Sequence, residues 1–267
     1  MADARPTPAP SGATGVLVLA DGSTLWGKGF GAEGEAVGEV CFNTAMTGYQ
    51  EIMTDPSYAR QIVTFTFPHI GNVGANYEDL EADNPWALGC VVRQDVTAPS
   101  NFRAIQRFDE CMRANGRIGL SGVDTRALTR RIRTGGAPNG VIAHCKDGEF
   151  DVEALLEQAR AWPGLEGMDL AREVSCRQMY RWSGGRWKLG EGYSERPHDE
   201  ALDAVRMMTS TPARIAGVAD RKGTLAKGKD ADIVIFDGKI NIETTIIGGK
   251  VVHTTAQSAS HRRAQAG

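Results

Sequence analysis

The sequence predicts a mixed α/β protein, and three observations lead to this class. Short alternating or wholly apolar runs bounded by glycine and proline dominate the chain as far as Val92, which is typical of strands. Helical stretches with recognisable start and stop residues follow, with further strand-like runs between them. The chain also contains 32 glycines, a content that argues against a helical bundle.

A hairpin is the first predicted element. Val16–Ala20 and Ser23–Gly29 are strand-like runs on either side of Asp21-Gly22, a dipeptide typical of two-residue hairpin turns. Three more runs in this part of the chain alternate in polarity or are continuously apolar, and both patterns are typical of strands. They are Val37–Phe42, Gln61–Phe67 and Ala87–Val92.

Helices are predicted where capping residues frame the pattern. Asp124 is a suitable N-cap for a helix that reaches Arg133 and stops at Gly135-Gly136. Two further helices end at Asn115-Gly116 and before Pro163-Gly164. The three predicted helices are Arg103–Arg113, Asp124–Arg133 and Asp151–Ala161, with strands at Gly116–Leu120 and Gly140–Cys145 between them.

The C-terminal part is predicted to combine a helix with strands. Thr211 followed by Pro212 is typical of a helix N-cap and its first residue. A small hairpin is expected upstream at Met179–Gly192, with its turn at Ser183–Gly185. The predicted strands are Ala231–Phe236, Ile240–Ile247 and Lys250–His253.

Composition and charge exclude several classes of protein. The chain contains 30 Lys and Arg residues and 33 Asp and Glu residues, which gives a net charge of −3. It therefore has no overall basic field that would attract nucleic acid or anionic membranes. The five cysteines are an odd number without a CxxC pair, which predicts neither a disulfide framework nor a zinc ribbon. Because the N-terminus also lacks the apolar core of a signal peptide, we expect a cytoplasmic protein.

Motifs for cofactors and metals point to no bound group in this chain. Gly29, Gly31 and Gly34 spell GxGxxG, but a strand-like run follows them where a dinucleotide site needs a helix. The five histidines form neither HxH nor HExxH, so each is expected to be a surface or loop residue. The sequence therefore predicts no cofactor, no metal ligands and no catalytic residue.

Two polar features remain as candidate binding positions. Arg126, Arg130 and Arg133 recur at i, i+4 and i+7 on one helical stripe, which is either a solvated face or a docking surface for an acidic partner. Ser57 lies in the turn-like tetrapeptide Asp55-Pro56-Ser57-Tyr58, where its hydroxyl is expected to cap neighbouring backbone groups.

Several long blocks resemble one enzyme family. Gly38–Gly74, Ser121–Ile142 and Trp162–Cys176 are similar to the small chain of glutamine-hydrolysing carbamoyl-phosphate synthetase, and the likeness runs from Gly15 to about Tyr193. The resemblance implies a layered β/β/α domain of the swivelling type and a partner, the large chain, to which ATP and Mg would belong. It also matches Ser57 to a serine of the family's glutamine pocket.

The glutaminase part of that family is not recognisable in the sequence. The resemblance implies a second domain with a Cys nucleophile in a Gly-x-Cys-x-Gly elbow, and none of the five cysteines lies in such an elbow. A thiolate without its base and oxyanion donors is a poor catalyst of amide hydrolysis. We therefore expect glutamine to bind weakly at most and the chain to be inactive alone.

The C-terminal part resembles a different family. Thr209–His253, with the block Gly223–Asp232, is similar to the C-terminal end of metal-dependent amidohydrolases such as N-acetylglucosamine-6-phosphate deacetylases. In that family the metal ligands lie upstream of this end. About 45 residues of this kind bury little apolar surface, and strands taken from a larger sandwich expose unpaired edges.

Together these patterns predict a domain order and a function. We expect a disordered tail at 1–14, a carbamoyl-phosphate synthetase small-chain N-terminal-like domain at 15–150, a helix and hairpin linker at 151–198, an amidohydrolase C-terminal-like fragment at 199–253 and a disordered tail at 254–267. The main hypothesis is a small chain, in arginine and pyrimidine biosynthesis, that keeps the docking domain for the large chain. The alternatives are an amidohydrolase or deacetylase, and a chimeric chain without function.

Overall fold

The computed structural model describes residues 9–176, 184–195, 205–236 and 242–255. The chain divides into two compact units, Met1–Met179 and Tyr180–Gly267. Most of the two predicted tails, residues 1–8 and 256–267, lies outside the described residues.

The described residues of the first unit form seven strands and five helices. The strands are β1 Gly15–Leu19, β2 Thr24–Gly31, β3 Gly34–Asn43, β4 Gln61–Phe65, β5 Gly89–Val91, β6 Ile118–Ser121 and β7 Asn139–His144. The helices are α1 Tyr49–Thr54, α2 Phe108–Ala114, α3 Thr125–Gly135, α4 Val152–Ala161 and α5 Leu170–Val174, with a single 3₁₀ turn at Pro56–Tyr58. The mixed α/β class is therefore confirmed, whereas the layered β/β/α arrangement stays a prediction.

The seven strands form a closed barrel in the order β1-β2-β6-β5-β4-β3-β7. Strands β3, β4, β5 and β6 run parallel to one another, and the other four pairings are antiparallel. Ile142 of β7 lies opposite Leu17 of β1 on one side and opposite Ala36 of β3 on the other, so β7 closes the ring. Closure leaves this sheet without an edge strand.

Three hydrophobic clusters stabilise the barrel because strands present alternate residues to opposite sides. Leu17 and Leu19 of β1 join one cluster with residues of five other strands and with Leu128 and Ile132 of α3. Val16 and Val18 point the other way and pack with α4. A further cluster covers the other side of β4 and β5 with α1 and α2, whose contributing residues are Tyr49, Met53, Phe108 and Met112.

Helix α4 packs on the barrel within the first unit. Leu155 is 1% exposed and Ala159 is fully buried, and both contact valines of β1 and β7. Asp151 caps the helix, since its carboxylate accepts a hydrogen bond from the Ala154 N–H at 3.0 Å. The part of the chain predicted as a linker at 151–198 thus begins with a helix that belongs to the packed core of this unit.

Several local predictions were wrong. Helix α1 was not predicted, and α2 begins at Phe108 instead of Arg103. In a capping box, the backbone N–H of Arg107 donates to the Glu110 carboxylate, so the helix begins after Arg107. Gln106 pairs with Ala75 in an isolated β-bridge, so the segment before Arg107 is not helical.

The glycines of the GxGxxG segment allow neighbouring strands to pack closely. A Cβ atom on Gly29 would lie 2.1 Å from the ring of His144, which is 7% exposed in β7. Gly31 adopts a φ of +77°, which L-residues with side chains rarely adopt. The predicted strand after Gly34 is confirmed as β3, whereas the expectation that every histidine is a surface or loop residue was wrong for His144.

The second unit contains a hairpin, a short helix and a three-stranded antiparallel sheet. Its elements are β8 Gly184–Lys188, β9 Gly192–Glu195, α6 Ser210–Ile215, β10 Ile233–Phe236, β11 Ile242–Ile247 and β12 Lys250–Thr254. The sheet has the order β10-β11-β12, and its edge residues Val251 and Val252 are 52% and 57% exposed.

Two predictions in this unit were also wrong. The hairpin turn follows Lys188 at Gly190, which has a φ of +81°, whereas Gly184 and Gly185 lie inside β8. The N-cap of α6 is Thr209 and not Thr211, so Pro212 is the third helical residue.

The packing of α4 gives a first testable prediction. We expect Leu155→Ala to lower the free energy of unfolding by about 2–5 kcal/mol, because it leaves a cavity between α4 and the barrel. The exposed neighbour Glu157 provides the control, and its change to Ala should stay within about 0.5 kcal/mol. Urea unfolding followed by circular dichroism measures both. Equal, small effects of the two changes would mean that α4 is not part of the barrel unit.

Candidate functional site

The structure separates the two features that the sequence marked as binding positions. Ser57 lies in the 3₁₀ turn before β4, whereas Arg126 and Arg130 lie beside Thr66, which follows β4. The five residues of β4 stand between them, and five extended residues span about 16 Å. Ser57 and the arginines therefore belong to opposite ends of the barrel and cannot contact one small ligand together.

The turn that carries Ser57 is held by other side chains. The Asp55 carboxylate accepts a hydrogen bond from the Ser57 backbone N–H at 2.8 Å, so the predicted cap by the Ser57 hydroxyl was wrong. Asn43 donates to the Tyr58 hydroxyl at 2.8 Å and joins the turn to the end of β3. Ser57 itself is exposed. Its hydroxyl thus faces solvent, where it can donate or accept a hydrogen bond with a ligand.

Arg60 joins the Ser57 turn to α5. Its guanidinium group makes a two-pronged ion pair with Glu173, with nitrogen to oxygen distances of 3.1 and 3.2 Å. Both side chains are more than 40% exposed, so this pair contributes about 1 kcal/mol at most. Arg60 is also the one residue other than glycine with positive φ in the described ranges, at 63°. An open cavity of about 910 Å³ lies beside this pair and extends along α5 to Cys176.

A second cavity lies at the other end of β4, against the start of α3. It has a volume of about 510 Å³, within the usual range for small-molecule sites. Strands β4 and β5 are parallel, so the segments that follow them meet here and face the first turns of α3. The lining residues are Thr66, Pro68, Arg93, Gln94, Thr125, Arg126, Thr129 and Arg130. We call this cavity the arginine groove.

The arginine groove contains two members of the predicted stripe and one arginine that the sequence did not indicate. Arg126 and Arg130 are exposed and line the groove, whereas Arg133 is exposed but lies outside the lining. Arg93 enters from the segment after β5 and bonds Asp124 at 3.3 Å. The apolar run before Arg93 correctly predicted the strand. However, only the pairing of β5 between β4 and β6 places Arg93 beside α3.

The segment after β5 is anchored close to the groove. The Ser121 hydroxyl donates to Asp95 at 2.6 Å, and Lys28 bonds the same carboxylate at 3.1 Å. These hydrogen bonds, with that from Ser121 the larger, lower the pKa of Asp95. Asp95 is therefore ionised at neutral pH and ties this segment to β6 and β2.

Three of the five cysteines are unsuited to nucleophilic catalysis in their folded environments. Burial raises the pKa of Cys41 to about 12, and it raises the pKa of the fully buried Cys90 as well. Burial also raises the pKa of Cys111. These three thiols are protonated at neutral pH, and the protonated form is not the nucleophile.

The part of the chain that the structure describes contains no cluster of metal-binding side chains. Within those residues, no group of three or more His, Cys, Asp or Glu side chains could hold a metal ion. His144, for example, places its Nδ1 atom 2.9 Å from the Ala32 carbonyl oxygen inside the barrel unit. Among the described residues, no helix is both long and apolar enough to cross a membrane.

In the second unit, the block Gly223–Asp232 lies next to charged contacts that hold its loop. Lys222 makes ion pairs with Asp230, at 3.2 Å, and with Asp232. Asp232 also accepts a hydrogen bond from the Gly248 N–H at 2.8 Å. The hydrogen bonds from Lys222 and Gly248 lower the pKa of Asp232. These contacts connect the loop to the turn between β11 and β12, which is a structural role.

Comparisons with known families match two separate parts of the chain. Residues 17–142 match the carbamoyl-phosphate synthase small chain, CPSase domain, and residues 167–252 match the amidohydrolase family. The first match coincides closely with the closed barrel, which runs from Gly15 to His144.

Curated relatives bear the name carbamoyl phosphate synthase small chain. The one from Zymomonas mobilis subsp. mobilis is 62% identical over 192 residues, which cover 70% of this chain and 51% of the relative. The one from Bradyrhizobium diazoefficiens is 57% identical over 191 residues, which cover 70% and 48%. The chain thus spans about half the length of the curated relatives it matches.

A solved aminopeptidase from Aneurinibacillus superposes over 52% of this chain and 32% of its own, at 13% identity and a TM-score of 0.30, which is too low for an argument about fold.

Thiol burial gives a prediction that mass spectrometry can check. At about pH 8, iodoacetamide should label the exposed Cys176 rapidly, whereas the buried Cys90 should stay unlabelled. Cys41 is half-buried and should react slowly, because burial raises the pKa of its thiol to about 12. The same reaction on urea-unfolded protein provides the control, in which all five cysteines should react. Labelling of Cys41 in the folded protein as fast as Cys176 would contradict the described packing.

Proposed function

We propose that this chain docks to the large chain of carbamoyl-phosphate synthetase, because residues 17–142 match the CPSase domain of the small chain. In this proposal the chain serves arginine and pyrimidine biosynthesis in the cytoplasm. ATP and Mg belong to the large chain, and this chain holds no cofactor of its own.

The single observation that carries the proposal is the agreement between the matched residues and the closed barrel. The match begins within β1 and ends within β7, which are neighbours in the barrel and complete it. The described members of all three hydrophobic clusters of the barrel belong to the first unit. A domain with a complete core can present a docking surface whatever follows it in the chain.

The proposed docking surface is the exposed face of α3. Arg126, Arg130 and Arg133 lie on this face, and the opposite side of the helix packs Leu128 and Ile132 into the barrel. No ion-pair partner holds these three arginines within the described residues. Unpaired guanidinium groups on a rigid helix favour a partner with carboxylates, because they can bind these groups through two parallel hydrogen bonds.

The proposed role does not include glutamine hydrolysis by these 267 residues. Three of the five thiols have raised pKa values, and no cysteine has the glycine neighbours of a nucleophile elbow. Ser57 is proposed as a glutamine-binding position, since its exposed hydroxyl is free to meet a ligand. A single exposed hydroxyl supports weak binding at most.

A second candidate function rests on the match of residues 167–252 to the amidohydrolase family. The chain would then be a metal-dependent amidohydrolase or deacetylase. Stoichiometric zinc or iron in the purified protein, found by elemental analysis, would favour this candidate over docking. A third candidate is a chimeric chain without function, for which neither the large chain nor a metal should bind.

Docking through α3 predicts a charge effect on complex formation. We expect the chain to co-elute with a carbamoyl-phosphate synthetase large chain in size-exclusion chromatography, and Arg133→Glu to raise the Kd by about tenfold. Arg113 on α2 is equally exposed and provides the matched control, so Arg113→Glu should leave the Kd unchanged. A complex that forms equally well with both variants would exclude the α3 face as the docking surface.

The absence of a suitable nucleophile predicts an inactive glutaminase. Purified protein should release no glutamate from glutamine beyond the background of iodoacetamide-treated protein, because no cysteine in the sequence lies in a nucleophile elbow. Circular dichroism of both samples confirms that the treatment leaves the fold intact. Glutamate release that the treatment abolishes would contradict this part of the proposal.

A further inference from the structure

We propose that the arginine groove is a binding site for the phosphate group of a small molecule. The groove lies between α3 and the segments that follow β4 and β5. This site is separate from the Ser57 turn, shares Arg126 and Arg130 with the proposed docking face, and can be tested without the large chain. Three observations support it: the charge of its lining, an unpaired buried hydroxyl and the rigidity of its walls.

The lining of the groove has a surplus of positive charge. Arg93, Arg126 and Arg130 contribute guanidinium groups, and no acidic residue lines the groove. The carboxylate of Asp124 bonds Arg93 at 3.3 Å and also caps α3 by accepting a hydrogen bond from the Ala127 N–H at 3.1 Å. Arg126 and Arg130 have no ion-pair partner within the described residues. A dianion in the groove would provide the missing counter-charge.

A buried hydroxyl group points to a ligand independently of the charge. Thr125 is 1% exposed, yet it lines the groove. Thr129, one helical turn further on, also lines the groove, and its buried Oγ1 atom lacks a hydrogen-bond partner among the described residues. A buried hydroxyl without a partner is costly, and the oxygen atoms of a phosphate group would accept hydrogen bonds from Thr125 and Thr129.

The walls of the groove are rigid, which lowers the cost of binding. Leu128 and Ile132 anchor α3 in the largest barrel cluster. Asp95 fixes the segment that carries Arg93 and Gln94 through the Ser121 hydroxyl at 2.6 Å. The positive end of the α3 dipole also faces this end of the barrel, since Thr125 is the first residue of the helix. Preorganised donors of this kind favour an anion over bulk water.

Titration of the full chain with inorganic phosphate tests the proposal. Calorimetry at constant ionic strength, with chloride as the compensating anion, should show saturable binding. Arg130→Gln and Thr125→Val should each raise the Kd by about tenfold, because each removes a donor to the phosphate oxygens. Arg133→Gln provides the matched control on the same helix, and it should bind phosphate as the unchanged protein does, since Arg133 lies outside the groove.

The outcomes separate the possible sources of the anion. If a phosphate monoester such as phenyl phosphate binds more tightly than inorganic phosphate, this would indicate that the ligand of the groove is a phosphorylated metabolite. No saturable binding of either, or binding that Arg130→Gln leaves unchanged, would overturn the proposal. Arg130 is exposed, so its variant should fold even if Thr125→Val does not. Because no large chain is present in this experiment, its failure is distinct from a failure of docking.

Discussion

The pairing of β7 with both β1 and β3 is the constraint on which the rest of the first unit depends. Residues Gly140–His144 bond β1 on one side and β3 on the other, so the strand order closes into a ring. Closure allows the parallel set β3 to β6 to bury both of its sides, one against α3 and the other against α1 and α2. Within the ring, the parallel pairing of β4 with β5 brings the segments that follow them together beside α3, where they form the arginine groove. The proposed docking face and the proposed phosphate site both depend on how these barrel strands pair.

Much of the local structure could be predicted from the sequence because the relevant signals are short in range. The hairpin around Asp21-Gly22, the strand over Gln61–Phe65 and the Asp124 cap each depend on a few neighbouring residues, and each is present in the structure. The predicted two-residue turn was wrong in detail, because the hairpin loop contains the three residues Ala20–Gly22. The start of α2 could not be predicted in the same way, because the pairing of Gln106 with Ala75 competes with helix formation. Closure of the barrel was also beyond local patterns, since β7 and its partner β1 are more than a hundred residues apart.

In the candidate site as well, local sequence patterns predicted some features, whereas others depend on long-range strand pairing. Helical spacing alone placed Arg126 and Arg130 on one exposed face, but it could not tell that Arg133 lies outside the groove. No local sequence pattern indicated Arg93 as a site residue, because its proximity to α3 depends on the pairing of β5 between two distant strands. The role of Ser57 came from resemblance and stays a prediction. The structure adds that Asp55, and not Ser57, caps the turn, which leaves the Ser57 hydroxyl exposed.

The second unit differs from the first in how it is stabilised. Its sheet has two edge strands, and Val251 and Val252 are exposed on one of them, whereas the barrel has no edge. We propose that the barrel unit alone recognises the large chain. Hydrogen exchange of the full chain, alone and in complex with a large chain, tests it most directly. We predict added protection of the α3 amides, residues 125–135, and unchanged exchange in residues 205–255. Protection confined to residues 205–255, with α3 unchanged, would contradict the claim.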